Sequence, residues 1–300
     1  MTDTSADEGL LVTSRAEDRY RLDPDPYGRW IMAGNYLTLV PGFESMHAVA
    51  HHATELALEA GLPEGVLTVL PGRGSVVGER FVTHPAVRKV VFTGSTEVGR
   101  RIMAGCAEQV KRVTLELGGK NSNIVFADAD LEQAAASAPA GALDNAGQDC
   151  CARSRVLVQR PVLERFLELL EPAVRDFACG DPWREDTQMG PLVSAAHRDS
   201  VASFLDDDAP VAFRGTAPEG PGWWFPPTVL TPSPDSRVFR EEIFGPVLAV
   251  VPFEDEADAV RIANDTEYGL SGSIWTRDVG RALRVSRAVD AGNLSVNSHA

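Results

Sequence analysis

An α/β protein built on doubly wound, mainly parallel sheet is the fold class that the patterning of this chain predicts. Three observations point there. Short β-rich runs alternate with helical patterns, glycine-bearing turns join strands to the helices after them, and the alternation restarts after Gly118-Gly119. Residues 1–33 stand apart: one short strand is expected over 10–13, then turn chemistry around Asp23-Pro24-Asp25-Pro26. From Gly34 the elements follow in order. A strand is expected over 36–40, and a helix from Ser45 to about Ala60, stopped by Gly61 with Pro63 beyond. Strands at 66–70, 89–93 and 113–117 enclose helices at 75–83 and 97–106. The second series has a strand at 123–126, a helix at 130–138 broken or kinked at Pro139, a strand at 154–159 and a helix at 162–177. Residues 180–235, rich in Pro, Gly and Asp, read as a long excursion with little regular structure. Alternation then resumes with a strand at 247–251, a helix at 256–264, a strand at 271–275, a helix at 280–289 and a strand at 293–296. The domain boundary falls near Gly118.

Composition excludes several function classes. A chain of 300 residues, 44% hydrophobic and 24% charged, can bury a large core. Its formal net charge of −15 argues against sequence-independent nucleic-acid binding and against an anionic membrane surface. No apolar run approaches the roughly 18–20 residues of a membrane span. Cys106, Cys150, Cys151 and Cys179 lack zinc-ligand spacing and do not form a disulfide framework, so no metal site is expected and a reducing, cytoplasmic setting fits.

Two residues carry candidate chemistry. Glu116 lies in Val-Thr-Leu-Glu-Leu-Gly-Gly-Lys (113–120) and Cys150 closes Asn-Ala-Gly-Gln-Asp-Cys (145–150). A thiol can attack a carbonyl, and a carboxylate can activate the water that later releases the acyl group. Adjacent glycines let main chain approach where any Cβ would collide. Read singly, Glu116 is equally a strand end and Cys150 a buried structural thiol. Two turns could receive a phosphate, and either could equally be structural: Gly72, Gly74 and Gly78, one residue off the dinucleotide spacing and as readily a plain βα turn, and Gly94-Ser95-Thr96-Glu97-Val98-Gly99, which leaves a strand and opens a helix with unpaired N–H groups. Lys120 reads as structural or solvent-exposed, and Cys151 as a packing neighbour.

Taken together, Phe92–Gly99, Leu115–Lys120, Gly147–Cys150 and Glu241-Glu242-Ile243-Phe244-Gly245-Pro246 resemble, in order, four motifs of the aldehyde dehydrogenase superfamily. The resemblance implies a partial doubly wound (Rossmann-like) dinucleotide-binding domain over 34–117 and an α/β catalytic domain over 118–300. It implies oxidation of a small-molecule aldehyde by NAD or NADP, with NAD favoured. Cys150 would form the thiohemiacetal and thioester, and Glu116 would activate the hydrolytic water. The implied cofactor contacts are Gly94, Ser95, Gly99, Leu117, Glu242 and Phe244, with Ser95 at the pyrophosphate and Glu242 and Phe244 at the nicotinamide ribose and ring.

The chain also departs from the family pattern. Val40-Pro41-Gly42-Phe43 replaces the Lys-Pro-Ser-Glu that binds the adenosine ribose, and Ser122 stands where proline is common. Trp30 is followed by Ile31, so the Trp-Asn pair that helps form the oxyanion hole is absent from 1–33. By this comparison the chain is expected to be cut at both ends, without the elements through which the family homo-oligomerises. A catalytically silent family member or interaction module is therefore the alternative expectation, and a cofactor-independent thiol esterase a lesser one.

Overall fold

The computed structural model describes residues 10–11, 52–70, 73–205 and 209–299. The strand expected over 36–40, the start of the helix at Ser45, the ribose-binding positions 40–44 and Gly72 lie outside the described residues. The chain divides into two compact units, Met1–Leu117 and Gly118–Ala300.

In the first unit, strand β1 (Leu10–Leu11) pairs antiparallel with β2 (Lys89–Gly94), which pairs parallel with β3 (Arg112–Leu117). Helix α1 covers residues 52–59 and ends at Gly61, whose φ of +92° only glycine takes without strain. The Leu62 N–H returns to the Ala57 carbonyl and the Gly61 N–H to Leu58, the closure of a Schellman motif. A π-helical turn at Gly74–Gly78 runs into α2 (Glu79–Thr83), and α3 (Thr96–Ala107) crosses over from β2 to β3. Val82, Val90, Phe92, Ile102 and Cys106 form a small core. Lys111 closes the C-terminal end of α2, its ammonium donating to the Phe81 and His84 carbonyls at 3.0 and 2.8 Å. The strand expected over 66–70 is not formed. That apolar run is a bend and open chain with Val66 and Leu70 54% and 57% exposed, because a short apolar run makes a strand only where an edge receives it.

The second unit is built on a seven-stranded sheet. Its strands are β4 (Ser122–Val125), β5 (Arg155–Gln159), β6 (Val211–Arg214), β7 (Thr228–Leu230), β8 (Val247–Phe253), β9 (Ser271–Trp275) and β10 (Asn293–Val296). Their order is β10-β9-β4-β5-β8-β7-β6, parallel throughout except for β6 against β7. The central strands β4, β5, β8 and β9 are buried on both faces, so none alternates apolar with exposed polar residues; β8 is a continuous apolar run, whereas β4 and β9 also bury Ser122, Asn123, Ser271 and Ser273. Helices α4 (Leu131–Leu143), α5 (Leu163–Arg175), α6 (Ala195–Ser203), α7 (Arg237–Arg240), α8 (Glu256–Asn264) and α9 (Val279–Ala288) complete the unit. Asp130, Ser194, Ser236, Asp255 and Asp278 cap five of them through their side-chain oxygens.

Two expectations are corrected here. Of the break or kink expected at Pro139, the break does not occur: helix α4 continues to Leu143, although an interior proline costs about 3 kcal/mol in an isolated helix. Ala134, Ala135, Ala138, Pro139, Ala142 and Leu143 are all buried, so packing holds the helix where propensity would not. The excursion at 180–235 carries α6, β6 and β7, and β7 is a fully buried strand inside the sheet. Its three residues are too few to show a period, and Pro226-Pro227 before them masks the start. Among the described residues no helix is long and apolar enough to cross a membrane.

Candidate active site

The segment leaving β3 explains its own glycines. A Cβ on Gly118 would lie 2.1 Å from Glu242 Oε2, and one on Gly119 would lie 2.3 Å from the Cys150 carbonyl oxygen. Only glycine fits either position. The Gly119 N–H donates to Glu242 Oε1 at 2.9 Å, tying the second residue of 241–246 to this turn. Next along, buried Asn121 uses its whole amide. Nδ2 donates to the Cys150 and Ala152 carbonyls at 2.8 and 3.0 Å, and Oδ1 accepts the Ser271 N–H at 2.9 Å. One side chain thus fixes the cysteine turn to the sheet. In sequence Asn121 is only a polar residue before a strand.

The cysteine turn is held in a strained form. Asn145, Ala146 and Gly147 are consecutive left-handed residues, with φ of +51°, +58° and +70°. Asn145 Nδ2 donates to the Gln148 carbonyl and Gln148 Nε2 to the Asn145 carbonyl, each at 3.0 Å, while Gln148 Oε1 accepts the Val193 N–H at 2.9 Å. Gly147 lies so close to Gly245 that a Cβ would be 2.2 Å from the Gly245 carbonyl oxygen. The cysteine motif and the 241–246 motif are therefore packed against each other.

At the end of this turn Cys150 is half-buried, its Sγ 4.0 Å from Cys151 Sγ. Burial pushes its thiol up to about 12, with Cys151 and Asp149 adding to the shift. The resting group is a thiol at neutral pH. Burial also raises the Glu242 carboxyl, opposed by the Gly119 N–H and by Lys120. Phe244 has φ of +56° and is 39% exposed. His197 Nε2–H donates to its carbonyl at 2.7 Å, and the two rings meet edge-on at 6.1 Å. His197 gives no signal in the sequence that would place it here.

Lys120, expected from sequence to be structural or solvent-exposed, is 1% accessible, and its Nζ has no hydrogen-bond partner among the described residues. It lines a cavity with room for about one water, together with Ser122, Arg155, Tyr268 and Ser271. Burial and then the nearby Arg155 guanidinium lower the ammonium to about 7, against the opposing pull of Glu242 and Glu241. Between that value and the ordinary 10.5 the unfolded chain binds the extra proton, so stability rises with pH across this window. Below about pH 7 the full penalty of the buried charge is present. Lys120→Met is expected to raise Tm at about pH 6 and to flatten its rise toward about pH 8.5. Thermal unfolding across that range checks this, and a pH slope equal to the parent's would show the ammonium to be compensated.

In the first unit, Gly94 ends β2 opposite Leu117 of β3, and Glu116 on the exposed face of β3 is opposite Thr93. Ser95 caps α3, its Oγ accepting the Val98 N–H at 3.3 Å. A Cβ on Gly99 would lie 2.5 Å from Leu117 Cδ2, so Gly99 is what lets α3 lie against the sheet. Thus Gly94, Ser95, Gly99, Glu116 and Leu117 lie at the ends of β2 and β3 and the start of α3 in one unit, and the Cys150 carbonyl and the Glu242 carboxylate both meet the Gly118-Gly119 turn in the other.

The aldehyde dehydrogenase family model matches residues 28–300. The chain belongs to the aldehyde dehydrogenase family. It is 41% identical over 276 residues to phenylacetaldehyde dehydrogenase of Pseudomonas fluorescens, covering 90% of this chain and 55% of that protein. It is 40% identical over 276 residues to the NADP(+) succinate-semialdehyde dehydrogenase of Escherichia coli, covering 90% and 57%. Among solved structures, betaine aldehyde dehydrogenase of Staphylococcus aureus in complex with NAD+ superimposes with a TM-score of 0.79 at 39% identity, over 82% of this chain and 51% of that one. The chain spans about half the length of the curated relatives it matches.

Proposed function

We propose that this chain carries the machinery of an NAD(P)-dependent aldehyde dehydrogenase acting on a small-molecule aldehyde, with NAD favoured and Cys150 as nucleophile. One observation carries the reading. A half-buried thiol stands on a strained turn whose carbonyl is clamped by Asn121, beside a carboxylate held on the Gly119 N–H. That arrangement fixes a nucleophile in space rather than merely filling a core.

The residues fit a dinucleotide. Helix α3 opens at Ser95 with first-turn N–H groups suited to a pyrophosphate, and Gly99 brings that helix close to the strand end. The Glu242 carboxylate, oriented by Gly119, is an acceptor for ribose hydroxyls. When bound, NAD(P)+ supplies the oxidant, accepting a hydride. The protein's own part begins at Cys150. Burial holds the Cys150 thiol protonated at neutral pH, so attack requires that the sulfur lose its proton as the C–S bond forms. Glu116, exposed at the end of β3, is assigned to remove a proton from the water that cleaves the acyl–sulfur bond. Free thiols at positions 150 and 151 suit a reducing compartment such as the cytoplasm.

Aldehyde-dependent formation of NADH or NADPH tests the reading, and its absence with either cofactor would remove it. Glu116→Gln should separate the two halves of the reaction. An initial burst of about one NADH per chain is expected to persist, while steady turnover falls by roughly 10²–10⁴-fold. Parental turnover in that variant would take Glu116 out of the mechanism.

A further inference from the structure

Asp149, Cys150 and Cys151 present a carboxylate oxygen and two sulfurs that all lie within 4.8 Å of one another. We propose that these three groups form a reversible inhibitory site for a thiophilic divalent cation, with Zn2+ as its natural occupant. The regulatory consequence rests on the assignment of Cys150 as nucleophile; the binding site itself does not.

Adjacent residues in extended chain point to opposite sides, and such neighbours cannot chelate. Here the chain turns. The Ala152 N–H returns to the Asp149 carbonyl at 3.0 Å, and the Cys151 N–H donates to Asp149 Oδ1 at 3.0 Å. This turn brings both sulfurs to one side, 4.0 Å apart. Tetrahedral zinc with Zn–S bonds of about 2.3 Å requires a sulfur separation of about 3.8 Å. The observed spacing is within small side-chain rotations of that value. The carboxylate supplies a third, harder ligand, and water completes the shell, since both thiols are only partly buried.

The exchange balances without an oxidant. Zn2+ displaces the two thiol protons, two Zn–S bonds form, and two protons pass to solvent. With its sulfur lone pair held by the metal, Cys150 cannot attack a carbonyl.

The test uses Cd2+ and Zn2+ on the full chain without cofactor. Cadmium titration is expected to give a cadmium–thiolate charge-transfer band saturating at about one ion per chain, and zinc is expected to displace it. Cys151→Ser should weaken binding by roughly 100-fold and Asp149→Asn by roughly tenfold. In activity assays Zn2+ is expected to inhibit the parent reversibly, with recovery on adding a chelator. Cys151→Ser should lose that sensitivity, read as the ratio of its own rates with and without Zn2+. A band of unchanged strength in Cys151→Ser, or no band in the parent, overturns the site. A normal band in a chain without dehydrogenase activity upholds the site and removes only the assignment of Cys150 as nucleophile.

Discussion

Replacing Cys150 with alanine is expected to lower aldehyde oxidation by on the order of 10⁴-fold or more, with the fold retained. The loss is large because the substitution removes the atom that bonds to substrate, and no neighbour replaces it in position. Cys151 does not stand in: its carbonyl is bound to Arg153 rather than to Asn121, so its backbone is placed by different contacts. The fold is retained because what anchors this turn is backbone. Asn121 binds the Cys150 carbonyl, and Gly119 packs on the same oxygen. Circular dichroism and Tm should therefore match the parent while turnover disappears. A variant that kept more than a few per cent of parental turnover would refute the nucleophile assignment. The titration of the thiol gives a second readout. In the cofactor-free parent, alkylation of Cys150 should accelerate about tenfold per pH unit from about pH 7 toward 12, and this phase should be absent in Cys150→Ala. The same shift has a stability consequence. The folded chain keeps the thiol proton above the ordinary value of 9.0, so the stabilisation present below that pH is lost as pH climbs toward about 12.

The elements that read well from sequence are those whose signals are local. The helix at Thr96–Ala107 has Ser95 as its cap, and the helix ending before Gly61 has its stop written in one residue. The parallel strand at 89–94 announces itself by its Val-Val-Phe run, and those at 122–125 and 271–275 by a short β-rich segment set between a turn and a helical pattern. What failed depends on partners far along the chain. Thr228–Leu230 is a strand because β8 lies beside it, and residues 66–70 are not one because nothing local decides it. Pro139 passes because its helix is buried along one side, Pro139 included. The site divides the same way. Gly118-Gly119 declares that something approaches the backbone closely, but sequence does not say that Glu242 and Cys150 are what approaches. Asn121 and His197 have no motif, for their roles exist only after residues 150 and 244 are brought to them. Lys120 is readable in sequence as either structural or exposed; lysine is almost never fully buried, and only the structure shows its ammonium enclosed.

The second large effect is expected at Gly147. Gly147→Ala should destabilise the second unit by roughly 3–5 kcal/mol and nearly abolish turnover in whatever fraction folds. Two independent costs coincide there. The residue sits at φ +70°, where an L side chain costs about 1–2 kcal/mol. A Cβ would also lie 2.2 Å from the Gly245 carbonyl oxygen, 2.5 Å from its carbon and 3.0 Å from the Pro246 nitrogen. All three are backbone atoms, and the chain after them enters the buried strand Val247–Phe253, so they cannot step aside as a side chain can. The cysteine turn must move instead. Moving it breaks the Gln148 bond to Val193 and shifts Cys150 away from Asn121, and misplacement of a reacting atom by about 1 Å costs on the order of 10²-fold in rate. Gly61→Ala is the control. It has φ of +92° but open space around its Cβ, and it should show the conformational cost alone, with turnover unchanged. Denaturant unfolding and kcat for the two variants separate strain from collision. Equal losses of stability in both would mean that the contact between the cysteine turn and Gly245 contributes nothing, and with it would go the claim that these two motifs position one another.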